Sequence, residues 1–146
     1  MKISIASDHA GFEYKNNIII WLKENDYEFI DFGTYSTDSC DYPDFAKVAA
    51  EAVASGSCEF GIIICGTGIG VSITANKVEG IRAANCCTIE MARLAREHND
   101  ANIVTIGARL IDLYLSKKII ELFLTTKFSG GRHTQRVGKI HSLTGR

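Results

Sequence analysis

A cysteine followed by alternating glycines is the part of this sequence best suited to chemistry. The segment reads Cys65-Gly66-Thr67-Gly68-Ile69-Gly70 and comes directly after the apolar run of residues 60–64. Because glycine has no Cβ, such a turn lets backbone N–H groups converge on an anion, and a helix that starts there adds positive potential. The same setting stabilises a thiolate, the form of cysteine that acts as a base or nucleophile. The competing interpretation is a tight strand-to-helix turn beside an inert, buried thiol.

The spacing of these glycines argues against a nucleotide site. It is G-x-G-x-G, whereas the dinucleotide fingerprint is G-x-G-x-x-G, and the ATP phosphate loop needs a lysine that this segment lacks. The pattern therefore favours a small anionic ligand over a nucleotide.

A carboxylate and an imidazole follow the first apolar run of the chain. The segment is Ser7-Asp8-His9, directly after residues 2–6. Asp8 and His9 are candidates for binding the hydroxyl and anionic groups of a ligand. The alternatives are that Asp8 or Ser7 only caps the following helix and that His9 is a surface residue.

The second half of the chain carries a histidine and three arginines of interest. His98 ends the helical stripe of Met91, Leu94 and Ala95 and is followed by Asn99. Arg132 and Arg136 are four residues apart on a predicted helix, and paired guanidinium groups suit a dianionic phosphate. Arg109 is a third phosphate candidate. A histidine favoured by a helix C-terminus and solvated helix arginines are the alternatives.

These residues need a frame of alternating strands and helices. Apolar and β-branched runs predict strands at residues 2–6, 28–31, 60–64, 82–86 and 103–106. Helical periodicity predicts helices at 11–25, 42–55, 70–76, 89–99 and 111–125, with another short helix after His133. The alternation predicts an α/β three-layer sandwich with a five-stranded parallel sheet, of the Rossmann or flavodoxin-like type. Its strand order is expected to be 3-2-1-4-5 or 2-1-3-4-5.

Composition is consistent with this frame and excludes other classes. The chain has 146 residues, 46% of them hydrophobic and 23% charged, so we expect one domain over residues 1–146. A net charge of -1 gives no field for nucleic acid or an anionic membrane. No signal-peptide pattern or long apolar stretch is present, which favours a cytoplasmic protein. The five cysteines, which lack metal-ligand spacing, are interpreted as free thiols.

Six motifs are spread across essentially the whole chain. They are Ser7-Asp8-His9-Ala10-Gly11, Asp41-Tyr42-Pro43, residues 65–70, Ala75-Asn76-Lys77, Arg96-Glu97-His98-Asn99-Asp100, and Gly130-Gly131-Arg132-His133 with Arg136. In this order, they resemble the motifs of the ribose-5-phosphate isomerase B family. The resemblance implies interconversion of D-ribose 5-phosphate and D-ribulose 5-phosphate, in the pentose phosphate pathway, without metal or other cofactor.

The resemblance also implies roles for individual residues. Cys65 matches the proton-abstracting base, with Thr67 beside it, and His98 matches the acid that opens the furanose ring. The implied substrate contacts are Asp8, His9, Tyr42, Gly66, Thr67, Gly68, Ile69, Gly70, Asn99, Arg109, Arg132 and Arg136. Some relatives have glycine at position 65 and use a glutamate at the position of Val71. Because valine cannot take a proton, this chain fits the cysteine branch.

Topology then predicts a site shared between two subunits. In a parallel sheet, each helix returns the chain from the carboxyl edge to the amino edge, so His98 and Asn99 belong to the edge opposite Cys65 and Asp8. If His98 is the acid, a two-fold partner must present it, as the family resemblance also implies. We therefore expect a homodimer or a dimer of dimers.

Three alternative functions stay open from the sequence. One is isomerisation of a six-carbon sugar phosphate, as in the related allose 6-phosphate and galactose 6-phosphate isomerases. Another is a noncatalytic flavodoxin-like module that binds a phosphate ligand. The last is a thiol redox protein, for which Cys86 or Cys87 would have to act as the resolving thiol, although they are expected on opposite faces of a strand.

Overall fold

The structure, a computed structural model, describes residues 1–145 as alternating strands and helices. The strands are β1 (Lys2–Ser7), β2 (Glu28–Asp31), β3 (Phe60–Cys65), β4 (Ala83–Asn85) and β5 (Ile103–Gly107). The helices are α1 (Phe12–Glu24), α2 (Tyr42–Ala54), α3 (Ile69–Ala75), α4 (Ile89–Asn99), α5 (Leu113–Thr125) and α6 (Arg132–Thr144), and a 3-10 turn covers His9–Gly11. No helix within this described part is long and apolar enough to cross a membrane.

The strands form the predicted five-stranded parallel sheet, but neither expected strand order is correct. The observed order is β2-β1-β3-β5-β4. The flavodoxin-like prediction placed β1 beside β3, which is confirmed, but it reversed the last two strands. All of β5 is buried, whereas β4 has three residues, Ala83–Asn85, each only half-buried. A strand inside a parallel sheet is covered on both faces, so the longer, more apolar β5 takes the interior position and β4 takes the edge.

Helices cover both faces of the sheet and complete the predicted three layers. One core lies under α1, α4 and α5, with Ile18, Ala95 and Phe123 packed on the sheet. The other lies under α2 and α3, with Ala49, Val53 and Val71. Since the helices return the chain across these faces, the carboxyl ends of β1 and β3 are left open at one edge of the sheet.

The helix that follows the glycine pair near the C-terminus is longer than predicted. The sequence suggests a short helix after His133, but α6 starts at Arg132 and runs for 13 residues. Gly130 and Gly131 both have positive φ, 64° and 56°, which glycine adopts without steric strain. This turn brings α6 against α4, where Ser129 N–H donates to the carbonyl of Glu97 at 3.0 Å.

Candidate active site

Asp8 and His9 lie at the carboxyl edge of β1, directly beside the end of β3. The Asp8 N–H donates to the carbonyl of Ile64 at 3.2 Å, which ties the two strand ends together. Asp8 is almost fully buried, and its Oδ1 accepts from the N–H of Gly11 at 2.9 Å, so the expected capping role is present. The Nδ1 atom of His9 accepts from the N–H of Cys40 at 3.3 Å. That bond leaves Nε2 of His9 as the ring nitrogen for a ligand.

Cys65 is the last residue of β3, and its thiol is held by the glycine turn. Cys65 is 5% exposed, and its Sγ accepts a hydrogen bond from the N–H of Gly68 at 3.1 Å. Gly68 has φ of 76° and precedes α3, whose first-turn N–H groups have no acceptor within the helix. This bond fixes the position of Sγ against the backbone of the glycine turn. Burial raises the pKa of the Cys86 thiol, which lies outside this turn, to about 12.

Tyr42 and Arg109 border the turn on either side. A Cβ built on Gly70 would lie 2.7 Å from the Tyr42 ring, and one on Gly66 would lie 3.4 Å from the Arg109 guanidinium. Gly70 therefore lets the aromatic ring approach the backbone closely, whereas a Cβ on Gly66 would make an ordinary contact with Arg109. Thr67, at the tip, is exposed, and its Oγ1 accepts from the N–H of Ile69 at 3.3 Å.

Asn85, a residue that the sequence analysis missed, packs against this turn. Its Nδ2 is 3.4 Å from the carbonyl of Thr67, and its Oδ1 occupies the space where a Cβ on Gly68 would lie, at 2.3 Å. A polar residue within the predicted strand at residues 82–86 was the only sequence signal. The fit of Asn85 against Gly68 explains why this position of the turn requires glycine.

A second cluster forms where α4 meets α6. The imidazoles of His98 and His133 stack face to face, with centroids 4.2 Å apart and planes 8° apart. Arg132 and Arg136 lie exposed on the first turns of α6, close enough for their charges to help lower the pKa of His133. Asn99, the last residue of α4, is also exposed. This cluster therefore joins an imidazole pair to two guanidinium groups.

Arg82, also missed from the sequence, fixes the end of α4 at the amino edge of the sheet. Its Nε donates to the carbonyl of Asn99 at 3.0 Å, and its Nη2 contacts Oδ2 of Asp100 at 3.2 Å. Arg82 immediately precedes β4, so Asn99 and His98 lie near the starts of β4 and β5. A depression of about 480 Å³ at this edge includes Asn99 but neither Cys65 nor Asp8 among its lining residues.

Within one chain the predicted site residues thus divide into two groups at opposite sheet edges. Asp8, His9, Tyr42, residues 65–70 and Arg109 share the carboxyl edge, which we call the thiol half-site. His98, Asn99, Arg132 and Arg136 gather around the amino-edge end of α4, which we call the arginine half-site. Gly61 pairs with Ile103 and Cys65 with Gly107. Four strand residues, about 13 Å, separate the edges.

Comparison with known proteins finds a matching family along almost the whole chain. A family model described as Ribose/Galactose Isomerase matches residues 3–140. Ribose-5-phosphate isomerase B of Escherichia coli K12 is 46% identical over 142 residues, which cover 97% of this chain and 95% of that protein.

Solved structures agree over the full length of the fold. A Clostridium thermocellum ribose-5-phosphate isomerase B has a TM-score of 0.98 at 54% identity, covering 99% of this chain and 98% of that one. The Mycoplasma genitalium enzyme, solved with bound ribulose 5-phosphate, has a TM-score of 0.95 at 40% identity, covering 99% of this chain and 97% of that one. Sequence and fold agree, and the chain belongs to the Ribose/Galactose Isomerase family.

Proposed function

We propose that this chain is an aldose-ketose isomerase that interconverts D-ribose 5-phosphate and D-ribulose 5-phosphate through a cis-enediolate. The observation that carries the proposal is the Cys65 thiol, almost buried at the end of β3 and hydrogen-bonded by Gly68 N–H at 3.1 Å. Relatives named ribose-5-phosphate isomerase B, one of them holding ribulose 5-phosphate, support this substrate. The reaction places the enzyme in the pentose phosphate pathway.

Ring opening comes before isomerisation. The bond between C1 and the ring oxygen breaks, the ring oxygen takes a proton from His98, and the anomeric hydroxyl gives its proton to water as the C1 carbonyl forms. Asp8, whose Oδ1 is anchored by Gly11 N–H at 2.9 Å, accepts from a sugar hydroxyl and holds the open chain in place.

Proton transfer then runs through the thiol half-site. The Cys65 thiolate takes the proton from C2, the electron pair of that bond forms the C1–C2 double bond, and O1 becomes the enediolate oxygen. The same thiol returns the proton to C1 while a proton passes from O2 to O1, which yields the ketose. N–H groups of the first turn of α3 stabilise the enediolate, and losing one such donor costs roughly 2.7 to 4 kcal/mol in known oxyanion holes. The exposed Thr67 hydroxyl binds the substrate hydroxyls beside them.

We further propose that the site is completed by a second copy of the chain. A base and an acid that act on one sugar ring each lie within hydrogen-bond reach of it, so they are at most about 9 Å apart. The two half-sites of one chain are about 13 Å apart along the sheet. Two-fold pairing lets the arginine half-site of the partner face Cys65, where Arg132 and Arg136 bind the phosphate and His98 acts as the acid.

Exposed apolar side chains beside the thiol half-site support this homodimer. Ile69 and Ile73 on α3 are 52% and 58% exposed, Leu110 is 58% exposed, and Tyr42 is 40% exposed. Large apolar side chains grouped on a surface mark contact regions in soluble proteins. Burying this group against a partner therefore fits a site that closes only in the dimer.

The test of the isomerase function is formation of ribulose 5-phosphate from ribose 5-phosphate by the purified protein. Cys65→Ala should lose kcat by about 100-fold or more, the range of general acid-base catalysis. Cys87→Ala, which removes a half-buried thiol outside the site, should keep full activity. Iodoacetamide should inactivate the wild type, and substrate should protect it.

The same assay separates the alternatives. A higher kcat/KM for allose 6-phosphate than for ribose 5-phosphate would assign a six-carbon substrate. Binding of sugar phosphates without turnover would favour the noncatalytic module, and thiol-dependent reduction of a disulfide without isomerisation would favour the redox protein. Near-normal turnover by Cys65→Ala would remove the thiol from the mechanism.

We also propose a cytoplasmic location and a single domain. All five cysteines are free thiols, as expected in a reducing compartment. The two hydrophobic cores share one sheet, which fits a chain that folds as a unit.

A further inference from the structure

His133 has no role in the proposed reaction, yet its ring stacks on the ring of His98. The centroids are 4.2 Å apart and the planes differ by 8°. His98 ends α4, and His133 is the second residue of α6, so the contact joins two elements. Among residues 1–145, no hydrogen bond to the His98 ring is found. The stack is therefore a contact that restrains the ring where hydrogen bonds do not.

An acid that protonates a ring oxygen needs a defined direction. The terminal torsion of histidine has a broad, roughly two-fold energy profile, so a half-exposed imidazole without a hydrogen bond samples a range of ring planes. A parallel ring at 4.2 Å removes most of that range, because rotation would drive one ring into the other. The ring plane of His98 is thus set by His133.

We propose that His133 is a positioning residue for His98, holding the acid's imidazole by stacking in the plane from which it protonates the sugar ring oxygen. The inference rests on the proposed isomerase function. It assigns His133 no contact with the substrate.

The charges around the pair indicate which protonation state of His133 stacks. Partial desolvation and the positive charges of His98, Arg132 and Arg136 lower the pKa of His133 below its ordinary value. On α4, the nearby carboxylates of Glu90 and Glu97 are both hydrogen-bonded to Arg93. Among the described residues, no hydrogen bond or ion pair joins a carboxylate to the His133 ring, and two stacked imidazolium rings repel each other. Neutral His133 is the stacking form.

This gives the contact a pH dependence with a defined sign. Because the pKa of His133 is lowered in the folded protein, His133 takes up its proton at lower pH than an ordinary histidine and is mainly neutral near pH 7. Protonation then weakens the stack and misaligns His98. The loss of kcat on the acidic side of the profile therefore includes the titration of His133.

The experiment compares His133→Phe, which keeps an aromatic ring without titrating, with His133→Ala, which removes the ring. Gln135→Ala, an exposed position of the same helix, is the matched control. We expect kcat to fall about 3- to 10-fold in His133→Ala, the equivalent of one aromatic pair, with KM changed less than about twofold. His133→Phe should keep most of kcat and hold it to lower pH than the wild type.

A second measurement does not depend on turnover. In proton NMR spectra, the His98 ring protons should lose the ring-current shift in His133→Ala and keep a comparable shift in His133→Phe. If wild type turns over neither ribose 5-phosphate nor allose 6-phosphate, the proposed function fails, whereas the NMR result still reports the stack.

Three results would overturn the positioning role in an active wild type. The first is equal kcat in His133→Ala and wild type. The second is a rise in KM alone in His133→Ala, which would mean that His133 only supports the arginines. The third is an unchanged acidic side of the kcat–pH profile in His133→Phe.

Discussion

Mixing two inactive variants of this chain should restore isomerase activity if each site is shared between two subunits. Cys65→Ala removes the base of the thiol half-site, and His98→Asn removes the acid of the arginine half-site. A mixed dimer then contains one site with both groups intact and one site that lacks both. Neither homodimer has an intact site.

The size of the recovery follows from the geometry. Strand register places Cys65 opposite Gly107 and Gly61 opposite Ile103, so about 13 Å of strand separates the half-sites of one chain. No single chain can then complement itself. Random pairing of equal amounts makes half of the dimers mixed, and each has one working site of two. The expected activity is about one quarter of wild type per subunit.

The assay is ribulose 5-phosphate formation after co-refolding, with subunit exchange verified by mass spectrometry of differently tagged chains. The matched control pairs Cys65→Ala with Asp8→Ala, which lie in the same half-site, and this mixture should show no recovery. Verified mixed dimers of Cys65→Ala and His98→Asn without activity would refute the shared site. So would equal recovery in the control mixture.

Three further outcomes follow from contacts of the two half-sites and of the core. Arg136→Ala should raise KM for ribose 5-phosphate by about tenfold or more, because one charged hydrogen bond to the phosphate is lost. Turnover of unphosphorylated ribose should be unchanged. An equal loss of activity on both substrates would make the role of Arg136 structural. Gly68→Ala should abolish most activity, because its Cβ would lie 2.3 Å from Asn85 Oδ1. Gly56 has a similar φ of 77°, but a Cβ added there would have no atom within 4 Å, so Gly56→Ala should keep activity. An equal loss of activity in both variants would implicate backbone strain alone. Cys86, with its pKa raised to about 12, should stay unmodified by iodoacetamide at pH 8 in peptide mass maps. Labelling of Cys86 would show that this buried thiol becomes accessible to the reagent.

Much of the fold follows from local patterns. The apolar run at residues 60–64 predicted a central strand, and β3 is buried throughout. Of the two expected strand orders, only the flavodoxin-like one placed β1 beside β3, and that part of it is correct. The Asp8 N–H bond to Ile64 reflects this pairing. Local periodicity succeeds here because burial on both faces requires continuous apolar side chains in a parallel strand.

The strand order was wrong for a physical reason that local patterns do not contain. Both the expected and the observed arrangements satisfy right-handed crossovers, so connectivity does not separate them. Competition between β4 and β5 for the interior of the sheet separates them. The Ala83–Asn85 strand buries little apolar surface and goes to the edge, and this outcome depends on comparing β4 with β5 after both are formed.

The sequence by itself determined which side chains stand at the end of each element. Cys65 follows an apolar strand and precedes a glycine turn, and Arg132 and Arg136 are spaced for one helix face. Only the tertiary structure decided which of these ends meet. It stacked His133 on His98 and placed Asn85 under Gly68, contacts between segments 35 and 17 residues apart. Such contacts depend on how helices and strands pack across the sheet, a non-local property that residue spacing along the chain does not encode.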